Sequence, residues 1–218
     1  MLRCVDCHYP LTENWCSSCG RIYQQKNGVL IAWPKNLDKL AEEEAEHHDA
    51  DDGDATEVHQ LNRPRNYFYH KKLWQTMKTL PSGSNILEIG AGSGFDAKEL
   101  VGDYRLTLTD VSPRTLARLR EMMRDKEIWR DKEIEYIAAD GSHLPFADQS
   151  FAGLYLVATF HHLPNPIIGI KEFNRVLQPG GQVCVAIEPN ATYFRWIKYS
   201  RNFLCRIIHT LPPSKMAR

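Results

Sequence analysis

Apolar positions change their spacing three times along the chain. Through residue 35 they are sparse and broken by paired cysteines, CVDC at 4–7 and CSSC at 16–19, after which GRIYQQKNGVLIAWP reads as a strand, a turn and a strand. From Pro34 to about Arg65 the run AEEEAEHHDADDGDATEVH keeps no apolar period and reads as a mobile linker with room for one short helix. YFYHKKLWQTMKTL then sets Phe68, Leu73, Met77 and Leu80 near one helical face, closed by Pro81-Ser82-Gly83. Beyond it, strands at about 85–89, 105–109, 134–138, 153–158 and 182–187 alternate with helices at about 94–101, 113–127, 166–177 and 192–209. Such alternation predicts an α/β fold, a doubly wound and mainly parallel sheet covered on both faces. The doubled RDKEI at 124–128 and 130–134 is a local duplication, since no longer period accompanies it. Three segments follow: a cysteine module over 1–35, an acidic linker over 36–65 and the sheet domain over 66–218.

With 218 residues, 43% of them hydrophobic and 25% charged, the chain can bury one sizeable core and a small appendage. Its longest apolar runs, VCVAI and LYLVATF, fall far short of the roughly 18 residues of a membrane-spanning helix, and MLRCVDC has no secretory apolar stretch. A cytoplasmic location is therefore expected. The net charge of zero hides segregation: residues 36–62 hold ten acids against one Lys/Arg, whereas residues 190–218 hold six Lys/Arg and no acid. An acidic linker and a basic tail bear on partners, not on fold.

In open parallel sheets the ligand lies beyond the carboxyl ends of the strands, so the residues there are the ones to question. Strand one runs into Glu88-Ile89-Gly90-Ala91-Gly92-Ser93-Gly94. Its G-x-G-x-G spacing is tighter than the dinucleotide fingerprint, and Glu88 stands where a pyrophosphate enzyme has an apolar residue. A carboxylate there repels phosphate and suits a cation. Strand two ends at Asp110, followed by Val111, at the distance where an acid accepts from two ribose hydroxyls. Strand three ends in Ala139-Asp140-Gly141-Ser142, a third acid, placed to accept from the exocyclic amine of adenine. Singly, each has a plainer reading: a tight turn, a helix cap before Pro113, an ordinary turn residue. Together at three successive strand ends they point to S-adenosylmethionine, which is positively charged and carries no phosphate.

From Asn85 to Pro189 the chain resembles class I S-adenosylmethionine-dependent methyltransferases of the type 11 kind, through ILEIGAGSG, LTLTDVSP, AADGSHLPFADQSF, FHHLPNP and RVLQPGGQVCV. The resemblance implies a Rossmann-like sheet. It also implies that Glu88, Gly90, Gly92 and Gly94 contact the methionine end of the cofactor, Asp110 the ribose, and Asp140 with Gly141 the adenine, with Ala91 and Val111 in the same loops. Ala152 departs from the family, which commonly has an acid after SF. In the family the fifth strand is followed by a helix and two more strands, whereas IIHTLPPSKMAR closes this chain without an apolar alternation long enough for another. The expectation is a five-strand sheet in the order 3-2-1-4-5, lacking the C-terminal strands. Strand five becomes an exposed edge with Val183, Val185 and Ile187 on an apolar face. The tail helix, a second copy in a homodimer or a missing piece of a longer protein are the candidates to cover it.

Cys4, Cys7, Cys16 and Cys19 form two C-x2-C knuckles eight residues apart, the donor set of a closed tetrahedral zinc site. Two disulfides are the rival arrangement. A reducing compartment, and a module too small to hold itself by core burial, favour structural Zn2+. The module resembles the zinc ribbons at the front of large-subunit ribosomal RNA guanine methyltransferases. Cys184 and Cys205 read as packed residues.

Methyl transfer from a sulfonium is an in-line displacement, which needs a base only where the nucleophile carries a proton. His161 and His162, following strand four, are the candidates for that base; the plainer reading has one of them packing or capping the next helix. A small-molecule or lipid-linked acceptor is expected. RNA stays open, since the ribbon and the tail YFRWIKYSRNF suit it while the acidic linker opposes it. The same tail is amphipathic enough to touch a membrane surface peripherally. A cofactor-binding but catalytically idle scaffold is the remaining alternative.

Overall fold

The computed structural model describes residues 2–50, 64–124 and 134–188. The tail helix expected over 192–209, Cys205 and most of the doubled RDKEI lie outside them. Met1–Ile187 form one compact unit, and Glu188–Arg218, of which only Glu188 is described, a second.

The first parallel strand, β5 (Asn85–Ile89), shows why the sheet is central. All four residues from Ile86 to Ile89 are buried, so neither face meets water, as expected for a strand covered by helices on both sides. Beside it lie β6 (Arg105–Asp110), β7 (Ile134–Ala138), β8 (Phe151–Val157) and β9 (Leu177–Ala186). Their order is β7-β6-β5-β8-β9, all parallel, which is the expected 3-2-1-4-5. Ile86 shares one face with Leu73, Trp74 and Met77 of the helix α2 (Pro64–Met77) and with Leu116, Leu119 and Met123 of α3 (Pro113–Arg124). Leu87 and Ile89 share the other with Phe173 and Val176 of α4 (Pro166–Val176). The buried face of α2 is His70, Leu73, Trp74 and Met77, with Leu80 half-buried behind it. Phe68, expected on that face, is 60% exposed, because the helix is turned to bring His70 inward.

Four expectations are corrected. Among the described residues the sheet has seven strands rather than five. The extra two come from the N-terminal module, where β3 (Gln24–Lys26) and β4 (Val29–Ile31) form a hairpin and β4 pairs in parallel with β7. The expected module boundary at residue 35 therefore does not separate two bodies. Cys4, Val5, Cys16 and Tyr23 are buried in the same core as Leu144 and Phe146. The expected linker over 36–65 contains a twelve-residue helix, α1 (Lys39–Ala50), whose Ala41 and Ala45 are buried. The helix expected over 94–101 is only a 3₁₀ turn, Ala97–Glu99.

Strand β9 pairs with β8 alone among the described residues and leaves Val183 and Val185 45% and 48% exposed; Ile187 is half-buried. Its register slips between Phe151 and Gly153, where Gln178–Gly181 bulges out.

Candidate active site and cysteine cluster

The ends of β5 and β8 meet under a tight loop. Gly90 has φ +72°, and a Cβ there would lie 2.3 Å from Oγ1 of Thr159, so only glycine lets β5 turn beneath β8. On the β8 side, Ala158 itself takes φ +51°, a rare conformation for a residue with a Cβ, and this turns Thr159 onto Gly90. The loop then folds back on β6: Ala91 N–H donates to the Thr109 carbonyl at 2.8 Å, and Gly92 N–H donates to Oδ2 of Asp110 at 3.0 Å. Ser112 N–H donates to the other oxygen, Oδ1, at 3.0 Å. Asp110 is thereby fixed at the strand end. Burial raises its carboxyl above the usual range, partly offset by the N–H groups of Ser112 and Gly92.

Beneath the loop lies a group of acids. Glu88 is 4% exposed, and its Oε2 accepts from the Tyr155 hydroxyl at 2.9 Å. Burial, then the charges of Asp96 and Asp110, hold its carboxyl well above the ordinary value, despite the Tyr155 hydrogen bond. Asp96 is also buried and accepts from Trp74 Nε1 at 2.7 Å, with His70 Nδ1 2.8 Å from the same oxygen. The charges of Asp96 and Asp110 disfavour ionisation of Glu88 beyond what burial does, and a positively charged ligand above the glycine loop relieves that cost. The donor set fits an ammonium or sulfonium.

The third expected acid, Asp140, follows β7 and is 2% exposed, yet both oxygens are engaged. Oδ1 accepts from Ser142 N–H at 2.8 Å, and Oδ2 lies 2.8 Å from His143 Nδ1. The hydrogen bond to Asp140 raises the His143 pKa. Each carboxylate oxygen keeps a second lone pair for a ligand. Gly141 allows Leu163 to pack close, since a Cβ would lie 2.7 Å from its Cδ2.

His161 and His162 occupy a 3₁₀ turn after β8, with ring centroids 4.0 Å apart. His162 Nδ1 lies 3.0 Å from Oε1 of Glu44 on α1. The last turn of the same helix carries Asp49, whose Oδ1 accepts from Oγ of Ser112 at 2.5 Å, and Ser112 lies two residues beyond Asp110. Helix α1 thus spans the strand-end rim from the β6 side to the β8 side. From the hairpin side, Trp33 Nε1 donates to the Val111 carbonyl at 3.1 Å. Sequence reasoning missed Asp96, His70, Trp74, Tyr155, Glu44, Asp49 and Trp33. His70 and Trp74, four apart with Leu73 and Met77 between and beyond, were open to detection as a polar strip on a buried helical face.

In the N-terminal module, β1 (Leu11–Thr12) and β2 (Trp15–Cys16) form a short antiparallel pair between the knuckles. All four thiols are free, and their sulfurs lie within 4.8 Å of one another. Cys4–Cys19 and Cys7–Cys16 separations are 3.6 and 3.5 Å, near the spacing of about 3.8 Å that tetrahedral Zn–S bonds of roughly 2.3 Å impose. Against burial, hydrogen bonds from Tyr23 and backbone N–H groups lower the Cys4 thiol and backbone and thiol hydrogen bonds lower Cys16, whereas Cys7 and Cys19, despite backbone hydrogen bonds, are raised by burial and the neighbouring thiols. Tyr23 donates its hydroxyl to Cys4 Sγ at 3.1 Å and accepts from Val5 N–H at 3.1 Å.

Residues 87–185 match a family described as a methyltransferase domain. The 2-methyl-6-phytyl-1,4-hydroquinone methyltransferase of Synechocystis sp. is 31% identical over 52% of this chain and 35% of its own length. Methyltransferase GfsG of Streptomyces halstedii is 32% identical over 48% of this chain and 38% of its own. The 27-O-demethylrifamycin SV methyltransferase of Amycolatopsis mediterranei is 29% identical over 50% and 40%. The aligned region thus spans well under half the length of these relatives. Among solved structures, N-methyltransferase NodS from Bradyrhizobium japonicum, in complex with S-adenosyl-L-homocysteine, is similar in fold with a TM-score of 0.52. It is 24% identical, over 67% of this chain and 71% of that one.

Proposed function

The chain belongs, through residues 87–185, to the class I S-adenosylmethionine-dependent methyltransferases, and we propose that it transfers a methyl group from S-adenosylmethionine to a small-molecule acceptor. The observation that carries this reading is the acid group of Glu88, Asp96 and Asp110 gathered around the glycine loop, with burial holding the Glu88 carboxyl well above its ordinary pKa. Bound there, S-adenosylmethionine supplies an electrophilic methyl on a positively charged sulfur. Glu88 and the Gly90–Gly94 loop receive the methionine end, Asp110 the ribose hydroxyls, and the Val111 and Asp140–Gly141 loops the adenine. The mutual nearness of the four cysteine sulfurs supports a structural zinc at Cys4, Cys7, Cys16 and Cys19, with no coordination position left for chemistry.

The acceptor reading draws on two supports. Two of the relatives are named for methylating a hydroquinone and 27-O-demethylrifamycin SV. The rim also carries the acidic helix α1, with Glu44 and Asp49 docked onto His162 and Ser112, and a polyanion approaching that rim meets repulsion. No helix among the described residues is long and apolar enough to cross a membrane.

Mass spectrometry of ligands co-purified with the full chain, then incubation with S-adenosylmethionine radiolabelled in its methyl group, tests the reading. Label in an organic extract is the expected result. Label in RNA overturns the acceptor class, and bound cofactor without transfer to any acceptor favours an idle scaffold.

A further inference from the structure

We infer that Glu44 is a positioning residue that makes His162 a proton acceptor, and hence that the nucleophile accepting the methyl group carries a proton it must lose, as a hydroxyl does; this rests on the methyltransferase reading above. Glu44 lies in the acidic run that the sequence presents as linker, 118 positions from His162, yet its Oε1 sits 3.0 Å from His162 Nδ1. An ionised carboxylate can only accept a hydrogen bond, so the Nδ1 it faces must carry the proton. In the neutral ring that leaves Nε2 with its lone pair, the form a general base requires. Without such a partner the two tautomers interconvert, and only part of the population is competent.

The contact is built rather than incidental. Glu44 is held on α1 by burial of Ala41 and Ala45 beside it and by the Asp49–Ser112 hydrogen bond one turn on. Its other oxygen, Oε2, faces His48 Nε2 at 3.7 Å, and the His161 ring lies against that of His162. His162 itself follows β8, the strand whose end turns onto the glycine loop, and keeps an exposed edge. A nucleophile with no proton to lose needs no base in the displacement; a hydroxyl, like any nucleophile that must shed a proton, does. As the acceptor oxygen bonds to the methyl carbon, the methyl–sulfur bond breaks with its electron pair left on sulfur. The hydroxyl proton passes to Nε2, and the resulting imidazolium faces the Glu44 carboxylate.

Nitrogen NMR of the full chain labelled at histidine, free and with S-adenosylhomocysteine, tests this, with the His162 signals assigned through His162→Asn. The expected spectrum has His162 protonated on Nδ1 and bare on Nε2. Glu44→Ala should move both resonances toward a mixed tautomer, whereas Glu43→Ala, which removes an exposed acid of the same helix, should not. A wild-type ring protonated on Nε2, a tautomer indifferent to Glu44→Ala, or an equal change in Glu43→Ala would overturn the inference. Calorimetry separates it from its premise: a chain that does not bind S-adenosylhomocysteine refutes the methyltransferase reading, while the tautomer of the free chain is still read directly.

Discussion

Tyr155 and Glu88 lie on neighbouring strands, 67 positions apart, with the tyrosine hydroxyl donating to the carboxylate across 2.9 Å on a face sealed by α2 and α3. The bond steadies an acid that burial would otherwise drive further toward its neutral form. Tyr155 in turn is held well above its ordinary pKa by burial and then by the Glu88 charge, so it stays a donor. The pair keeps a carboxylate in waiting beneath the glycine loop at a cost in stability.

That cost is measurable. Because the Glu88 pKa is raised in the folded state, its contribution to stability is fully present below the unfolded-state value and is lost as pH rises toward the folded one. Glu88→Gln removes the titration. The variant should match wild type in acid and exceed it near neutrality by about 1 kcal/mol, which is roughly 2–4 °C in Tm for a chain of this size. Its affinity for S-adenosylmethionine should fall by about 1–3 kcal/mol as a charge-assisted contact is lost. Thermal melts across pH, with calorimetric titration, check both; a variant less stable than wild type at neutral pH would contradict the cost.

Asp110→Ala should weaken S-adenosylmethionine binding by about 1–3 kcal/mol, since the ribose hydroxyls lose a charged partner. Gly92 N–H also loses its acceptor, so the loop loosens along with the ribose contact. Asp110→Asn, which keeps an acceptor oxygen for that N–H, should lose less. Equal and unchanged calorimetric affinities in the two variants would remove the ribose assignment.

Asp96→Ala should destabilise the protein by about 2–4 kcal/mol, because it strands the Trp74 indole N–H and a buried His70 nitrogen at once. Trp74→Phe, which removes only one donor, should cost less. Urea unfolding followed by fluorescence and circular dichroism checks the ranking.

The strands and the acids at their ends were legible because both obey local rules. NILEI is a short buried run bounded by a polar residue and a glycine, and its observed limits, Asn85–Ile89, coincide with those read from the sequence. The docking of helix α1, a helix for which the linker left room, was hidden for the opposite reason. Its burial rests on two alanines, too small to register as a period, and its docking rests on Glu44 and Asp49, which look like any other acids in a solvated run. The hairpin's place in the sheet was also invisible, because it is made by backbone hydrogen bonds at Leu30–Ala32, which carry no side-chain signature. After Gly94 a helix was expected, but Asp96 turns inward to Trp74 and His70, and only one 3₁₀ turn follows.

The hairpin also links the cysteine cluster to the strand-end rim. One end is anchored at the cluster, where Tyr23 binds Cys4 through its hydroxyl; the other runs through β4 into Ala32, which donates to the Ala138 carbonyl at 2.8 Å, and Trp33, which reaches the Val111 carbonyl. Arg21 joins the two by bonding Asp6 and the Trp33 carbonyl. Metal analysis of protein purified without chelators should find one zinc per chain. Stripping it leaves four adjacent thiols that cannot ionise together, so Tm should fall, and S-adenosylhomocysteine affinity should fall with it. Tyr23→Phe should lower metal affinity by roughly 10–100-fold, the usual effect of losing a hydrogen bond to a ligating atom. Trp33→Phe should retain the metal and weaken the ligand alone. Chelator titrations read by Tm and by calorimetry distinguish these outcomes, and cofactor affinity indifferent to metal removal would show that the hairpin transmits nothing to the rim.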